Sequence, residues 1–245
     1  MPQEKLPIIE LFGPTIQGEG ALTGQISYFV RTFSCSFRCN WCDSLHAVLP
    51  ANRKHATYLT EEEIVGKLIN LTSIDNHYKP WVTLTGGDPV IWDLSKLCIL
   101  LSAEGFKVNV ETQGHLWQEW LTQTDLVTCS PKGPSSGMAD KLNLATLQKY
   151  DARLNNRNNK LILKIIIFDV EDLAFAKRIH RLLPKTRLYL SVGTPLYEAN
   201  ADLEHNVIDG FRWLTEEVLK HHPDLHDTTI GAQQHVLLWG RELGR

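Results

Sequence analysis

The sequence predicts an α/β protein built as a partial, open β/α barrel, with mostly parallel strands and helices outside. Three observations carry that expectation. Strand-like and helix-like segments alternate along the chain, which implies a parallel sheet covered by helices. About six such units are visible, too few for a complete eight-stranded barrel. The chemically distinctive clusters follow strand segments, and the C-terminal strand ends of such sheets gather active sites.

The elements follow in order. Ile26 to Thr32 (ISYFVRT) has strand composition. Thr60 and Glu63 form a capping box at the start of a helix whose apolar face is Ile64, Leu68 and Leu71. Trp81 to Thr85 is a short buried strand ending in Gly86-Gly87. Asp93 caps a helix running towards Glu104, and Gly105 ends it. Phe106 to Glu111 and Leu126 to Ser130 are the next strands, and Leu161 to Phe168 is strongly β-branched. Asp169 caps a helix with Leu173, Ala176, Ile179 and Leu183 on one face, stopped by Pro184. Arg187 to Val192 is a further strand. A helix near Phe211 to His221 and an apolar segment from His235 to Trp239 come last. The polar run 155–159 is a loop between continuous patterns, so one domain over 1–245 is expected.

Composition narrows the function classes. With 43 % hydrophobic and 22 % charged residues, the chain has the profile of a soluble globular protein. A net charge of −3 gives no reason to expect nucleic acid or an anionic membrane. The N-terminus lacks a basic region followed by a long apolar run, and Leu161 to Phe168 is too short to span a bilayer. A cytoplasmic location is expected. Five cysteines are a poor disulfide framework. Cys98 and Cys129 stand alone and are assigned to the core.

Cys35, Cys39 and Cys42 lie at spacings of four and three. A loop of that spacing can offer three thiolates to a cubane, where iron–sulfur clusters usually take four, leaving one iron open. Zinc held by the three cysteines and His46 is the alternative. Phe37 and Trp41 would exclude water from a cluster, and their rings offer faces to an adenine.

This loop resembles the CxxxCxxC signature of the radical S-adenosylmethionine enzymes. The resemblance implies a [4Fe-4S] cluster whose open iron is chelated by S-adenosylmethionine, with an electron donor such as flavodoxin or ferredoxin. Thr85-Gly86-Gly87-Asp88-Pro89 is similar to that superfamily's GGE motif, with Asp88 in place of Glu. By itself, Gly86-Gly87 reads as a tight turn.

The likeness extends to Gly13-Pro14-Thr15-Ile16-Gln17-Gly18-Glu19-Gly20, Phe29-Val30-Arg31-Thr32, Cys42-Asp43-Ser44, Glu111-Thr112-Gln113-Gly114 and Ser130-Pro131-Lys132. Together these resemble the 7-carboxy-7-deazaguanine synthase family. The resemblance implies conversion of 6-carboxy-5,6,7,8-tetrahydropterin to the deazaguanine with loss of ammonia, towards queuosine and related deazapurines, in a homodimer. It implies substrate contacts at Ile16, Gln17, Gly18, Arg31 and Thr85. It implies cofactor contacts at Trp41, Cys42, Asp43, Gly87, Gln113, Ser130, Pro131 and Lys132, and Mg²⁺ on Ser44.

The residues suit these roles. The arginine fork can hold a carboxylate bidentately, and Mg²⁺ needs few protein ligands. Each also has a plainer reading. Residues 16–20 are a glycine-rich turn ahead of a strand, Arg31 is a surface residue at a strand end, Ser44 is a turn or cap residue, and Lys132 is solvated. A glycyl-radical activating enzyme shares the cysteine spacing, but the Gln17-Gly18-Glu19 turn and Arg31 argue against it. A zinc or electron-transfer protein without catalysis is the rival from another class.

Overall fold

The computed structural model describes residues 5–72, 80–155, 159–195 and 203–244. The chain opens with strands β1 (Leu6–Ile16) and β2 (Ile26–Thr32), then a short helix α1 (Leu45–Val48) and strand β3 (Thr57–Leu59). Alternation follows: α2 (Glu61–Thr72), β4 (Trp81–Gly86), α3 (Ser95–Ala103), β5 (Lys107–Thr112), β6 (Leu126–Cys129) and α4 (Leu144–Leu154). The remainder is β7 (Leu161–Ile167), α5 (Val170–Leu182), β8 (Arg187–Val192), α6 (Leu203–His221), β9 (Thr229–Gly231) and α7 (Gln234–Trp239).

The strands form one sheet of order β3-β1-β2-β4-β5-β6-β7-β8-β9. From β2 through β9 every pairing is parallel, whereas β1 pairs antiparallel with both β2 and β3. The edges β3 and β9 do not pair, so the barrel stays open as predicted. The sheet is strongly curved. Lys164 on β7 comes within 3.4 Å of Glu111 on β5, two strands away.

Side-chain alternation divides the sheet into two unlike faces. Tyr28, Val30, Val82, Leu84, Val108, Val110, Val127, Leu163, Ile165 and Leu190 belong to the core shared with the helices. Their neighbours on the concave face are often polar: Ser27, Arg31, Thr83, Thr85, Asn109, Glu111, Thr128, Lys164 and Ser191. The loop joining β1 to β2 turns into this concavity from below. Leu22 packs there on Leu126 and Ile162, which closes the N-terminal end of the barrel.

Local chemistry explains several element boundaries. The Thr60 hydroxyl accepts the Glu63 N–H, and the Glu63 carboxylate accepts the Thr60 N–H, completing the predicted capping box. Asp169 accepts the N–H groups of Glu171 and Asp172. Gly105, at φ +81°, ends α3, and the Phe106 N–H returns to Leu101.

Several expectations need correction. Leu71 is exposed, and Val65 and Thr72 complete the buried face of α2. Asp93 accepts the Ser95 N–H from one position before the true cap, Leu94. Helix α6 begins at Leu203 rather than near Phe211. β1, β3, α4 and β9 escaped the pattern reading. In β1, Gly13-Pro14 mimics a turn, but the strand continues across a register shift between Phe12 and Thr15. An irregularity of this kind is where antiparallel pairing tolerates proline. Of the polar run 155–159, residues 156–158 lie outside the described residues. Among those described, no helix is long and apolar enough to cross a membrane.

Candidate active site

A cleft of about 310 Å³ opens on the concave face, and all the predicted site residues except Pro131 line it. Ser130 and Lys132 face the cleft. Pro131, between them, is buried and does not line the cleft. Cys98 and Cys129 are core residues, as expected.

The cysteine loop leaves β2 and is held by backbone contacts on two sides. Asp88 N–H donates to the Ser34 carbonyl at 2.8 Å, and Gly87 N–H to the Thr32 carbonyl at 3.2 Å. A Cβ on Gly87 would lie 2.1 Å from the Ser34 oxygen and 2.9 Å from Cys35 Cβ, so only glycine lets β4 seat this loop. On the other side, Asn40 N–H donates to Ser136 at 3.0 Å, and the Trp41 indole N–H to the Ser135 hydroxyl at 2.9 Å. Asp88 is fully buried, and burial pushes its carboxyl up to about 6. Its side chain accepts from Val90 N–H rather than facing the cleft.

Cys35, Cys39 and Cys42 are partly buried and line the same cleft. Burial pushes all three thiols up, Cys42 to about 11. Unliganded, they would be protonated at neutral pH; a bound metal centre reverses that preference. No fourth cysteine of the chain reaches them, which suits a cluster with one open iron. Among the described residues no three His, Cys, Asp or Glu side chains converge as they would on a single ion. His46, the proposed fourth zinc ligand, instead places Nε2 at 3.1 Å from the Glu10 carboxylate. A zinc site with His46 as fourth ligand would have to draw that ring away from Glu10.

Lys132 lies over the Trp41 ring at 5.3 Å and donates to the Ser130 hydroxyl at 3.1 Å. Arg31 Nε donates to Glu10 at 2.7 Å, and its Nη1 to the Ser44 hydroxyl at 3.0 Å. Ser44 in turn donates to Asp43 at 2.9 Å. The guanidinium rests over Phe12, itself stacked on Phe29. Burial alone would raise the Glu10 carboxyl, but the His46 hydrogen bond and the Arg31 charge hold it below its ordinary range.

Deeper in the concavity the polar groups form one network. Glu111 accepts from Gln17 at 3.2 Å, Thr85 at 3.1 Å and Lys164 at 3.4 Å. Lys164 also donates to Glu19 at 2.9 Å, and Ser191 donates to the other Glu19 oxygen at 2.9 Å. Burial would raise the Glu19 carboxyl, but Lys164 and His235 with the two hydrogen bonds hold it at about 2. Burial would lower the Lys164 ammonium, but Glu111 and Glu19 outweigh it and raise its pKa. A Cβ on Gly18 would lie 2.1 Å from His235 Nδ1, so any larger residue there would displace the imidazole.

Several lining residues escaped the sequence reading, notably Glu10, Lys164, Phe168 and Gln233. Lys164 carried a signal: a charge inside an otherwise apolar β-branched strand needs a buried partner. Gln233 and His235 line the cleft, whereas Gln234 faces a smaller depression beside β8 and β9.

An open, mostly parallel β/α sheet with a CxxxCxxC loop after its first parallel strand is the architecture of the radical S-adenosylmethionine enzymes. The crystal structure of QueE from Escherichia coli has the same fold, with a TM-score of 0.66 at 23 % identity over 94 % of each chain. The 7-carboxy-7-deazaguanine synthase of Bacillus cereus is 34 % identical over 98 % of this chain and 99 % of its own. That of Bacillus subtilis is 36 % identical over 98 % of each. The chain therefore belongs to the 7-carboxy-7-deazaguanine synthase family. It matches no protein-family model.

Proposed function

We propose that this enzyme converts 6-carboxy-5,6,7,8-tetrahydropterin to 7-carboxy-7-deazaguanine with loss of ammonia, on the path to queuosine and related deazapurines. The observation that carries this reading is the convergence of three thiols, the Arg31–Ser44 pair and the Gln17–Thr85–Glu111 group on one cleft. Cys35, Cys39 and Cys42 would hold a [4Fe-4S] cluster. When bound, the cluster and S-adenosylmethionine supply reductive cleavage and a carbon radical able to remove hydrogen.

The chain's own residues bind and orient. Gly87 lets the strand end close on the cysteine loop. Trp41, Asp43, Gln113, Ser130 and Lys132 would form the walls of the S-adenosylmethionine site, with Lys132 opposite its carboxylate. Arg31 would take the substrate carboxylate through its remaining N–H groups, and Ser44 would carry Mg²⁺ beside it. Ile16, Gln17, Gly18 and Thr85 would meet the flat pterin. Phe12, Phe29, Phe37 and Phe168 exclude water from the space between.

The proposal extends to one domain over 1–245, a homodimer, a flavodoxin- or ferredoxin-type electron donor and a cytoplasmic location. The test is anaerobic cluster reconstitution, then incubation with S-adenosylmethionine, reductant and the carboxylated tetrahydropterin. Formation of the deazaguanine supports the assignment. Deoxyadenosine without deazaguanine would refute the substrate, and absence of both would refute the radical chemistry.

A further inference from the structure

Gly114, between Gln113 and His115, has φ +79°, and a Cβ there would lie 2.3 Å from Cys129 Sγ. The Gly114 N–H donates to the Thr112 hydroxyl at 3.3 Å. This tight turn presents Gln113 and His115 to the cysteine loop. Gln113 Nε2 is 3.7 Å from Cys35 Sγ, within hydrogen-bonding range for the large sulfur atom. The same amide nitrogen is 3.3 Å from His115 Nδ1.

His115 is held on its other sides. Its Nε2 is 2.7 Å from the Ser36 hydroxyl and its ring packs on Phe37 at 4.8 Å, whereas Asp88 Oδ2, 3.7 Å from Nδ1, lies beyond hydrogen-bond distance. With the amide nitrogen on this side, it carries two protons and accepts none, so Nδ1 accepts and Nε2 carries the ring proton. One amide proton is then fixed on histidine and the other is aimed at sulfur. With the amide reversed, its oxygen would face a coordinated thiolate and repel it.

We infer that Gln113 donates a hydrogen bond to the Cys35 thiolate of the bound cluster, and that His115 is the positioning residue that aims it. The inference rests on the reading of Cys35 as a cluster ligand. A donor on a ligand sulfur favours the more negative, reduced cluster, so it raises the reduction potential. A glutamine side chain has free torsions, and only the anchored amide keeps its N–H on sulfur. The pair thereby makes the cluster easier to reduce.

The test is a spectroscopically monitored redox titration of the reconstituted protein, with iron and sulfide content measured alongside. Gln113→Leu and His115→Ala should each shift the midpoint to more negative potential. The double variant should shift no further than Gln113→Leu, because histidine acts only through the amide. His115→Asn, whose side-chain oxygen can accept the amide N–H, should recover part of the His115→Ala shift. An unchanged midpoint in Gln113→Leu, or additive shifts in the double variant, would overturn the inference. A midpoint does not depend on the fraction loaded, so partial loading leaves the test intact. If neither single variant takes up any cluster while the wild type does, the inference also fails, since one hydrogen bond tunes a cluster but does not hold it. A wild type that takes up no cluster would instead refute the ligand assignment.

Discussion

Arg31 illustrates how much a single side chain is constrained here. Its Nε is committed to Glu10 and its Nη1 to Ser44, so the fork is aimed before any ligand arrives. Lysine has no second arm with which to repeat that geometry. Arg31→Lys should therefore raise the KM for the pterin by about tenfold or more, in line with about 1.5–3 kcal/mol per charged hydrogen bond. S-adenosylmethionine affinity, measured separately by calorimetry, should stay unchanged. Ser44→Ala should remove the response of activity to added Mg²⁺; a titration unaffected by the substitution would end the metal assignment. The sequence made Arg31 and Ser44 visible through their neighbours in the chain. It hid Glu10, which lies 21 residues from Arg31 and meets it only because β1 and β2 pair.

At the scale of elements, the capping signals were the most legible features. Thr60 with Glu63 and Asp169 with its two N–H partners act within a few residues, so their geometry follows from local sequence. Thr60→Ala should cost about 1 kcal/mol in urea denaturation, with cluster content unaltered. Gly87→Ala should act in the opposite manner. Its extra methyl meets the Ser34 carbonyl, so the cysteine loop must move, and iron content should fall far more than global stability. Strand β1 was illegible for a physical reason. Gly13 and Pro14 normally punctuate a chain, and only pairing with β2 makes them part of a strand.

Across the whole molecule, the Glu19–Lys164–Glu111 network ties the loop before β2 to β5, β7 and β8. Lys164→Met would leave two carboxylates, Glu19 nearly and Glu111 partly buried, without their cation and should cost about 3 kcal/mol in denaturant unfolding. The pH dependence follows from the Glu19 carboxyl, held at about 2 against an ordinary value of 4.5. A lowered carboxyl contributes its stability above the unfolded value and loses it as protonation reaches the folded state. Stability from this group should be full above about pH 5 and should fall between about pH 5 and 2. Glu19→Gln should flatten that part of the profile; an identical acid profile for the two proteins would remove Glu19 as its source.

The sequence by itself determined the class of fold, the cysteine loop, the Thr60 and Asp169 helix caps and, through several ordered motifs, the family. These depend on spacing, local hydrogen bonds and side-chain periodicity, all of which act over short stretches of chain. Only the tertiary structure decided that His46 pairs with Glu10, that Pro131 is buried while its neighbours line the cleft, and that Lys164 joins two distant carboxylates. Curvature of an open sheet sets the Lys164 contacts, because it brings residues many tens of positions apart onto one concave wall, and no local pattern encodes that approach.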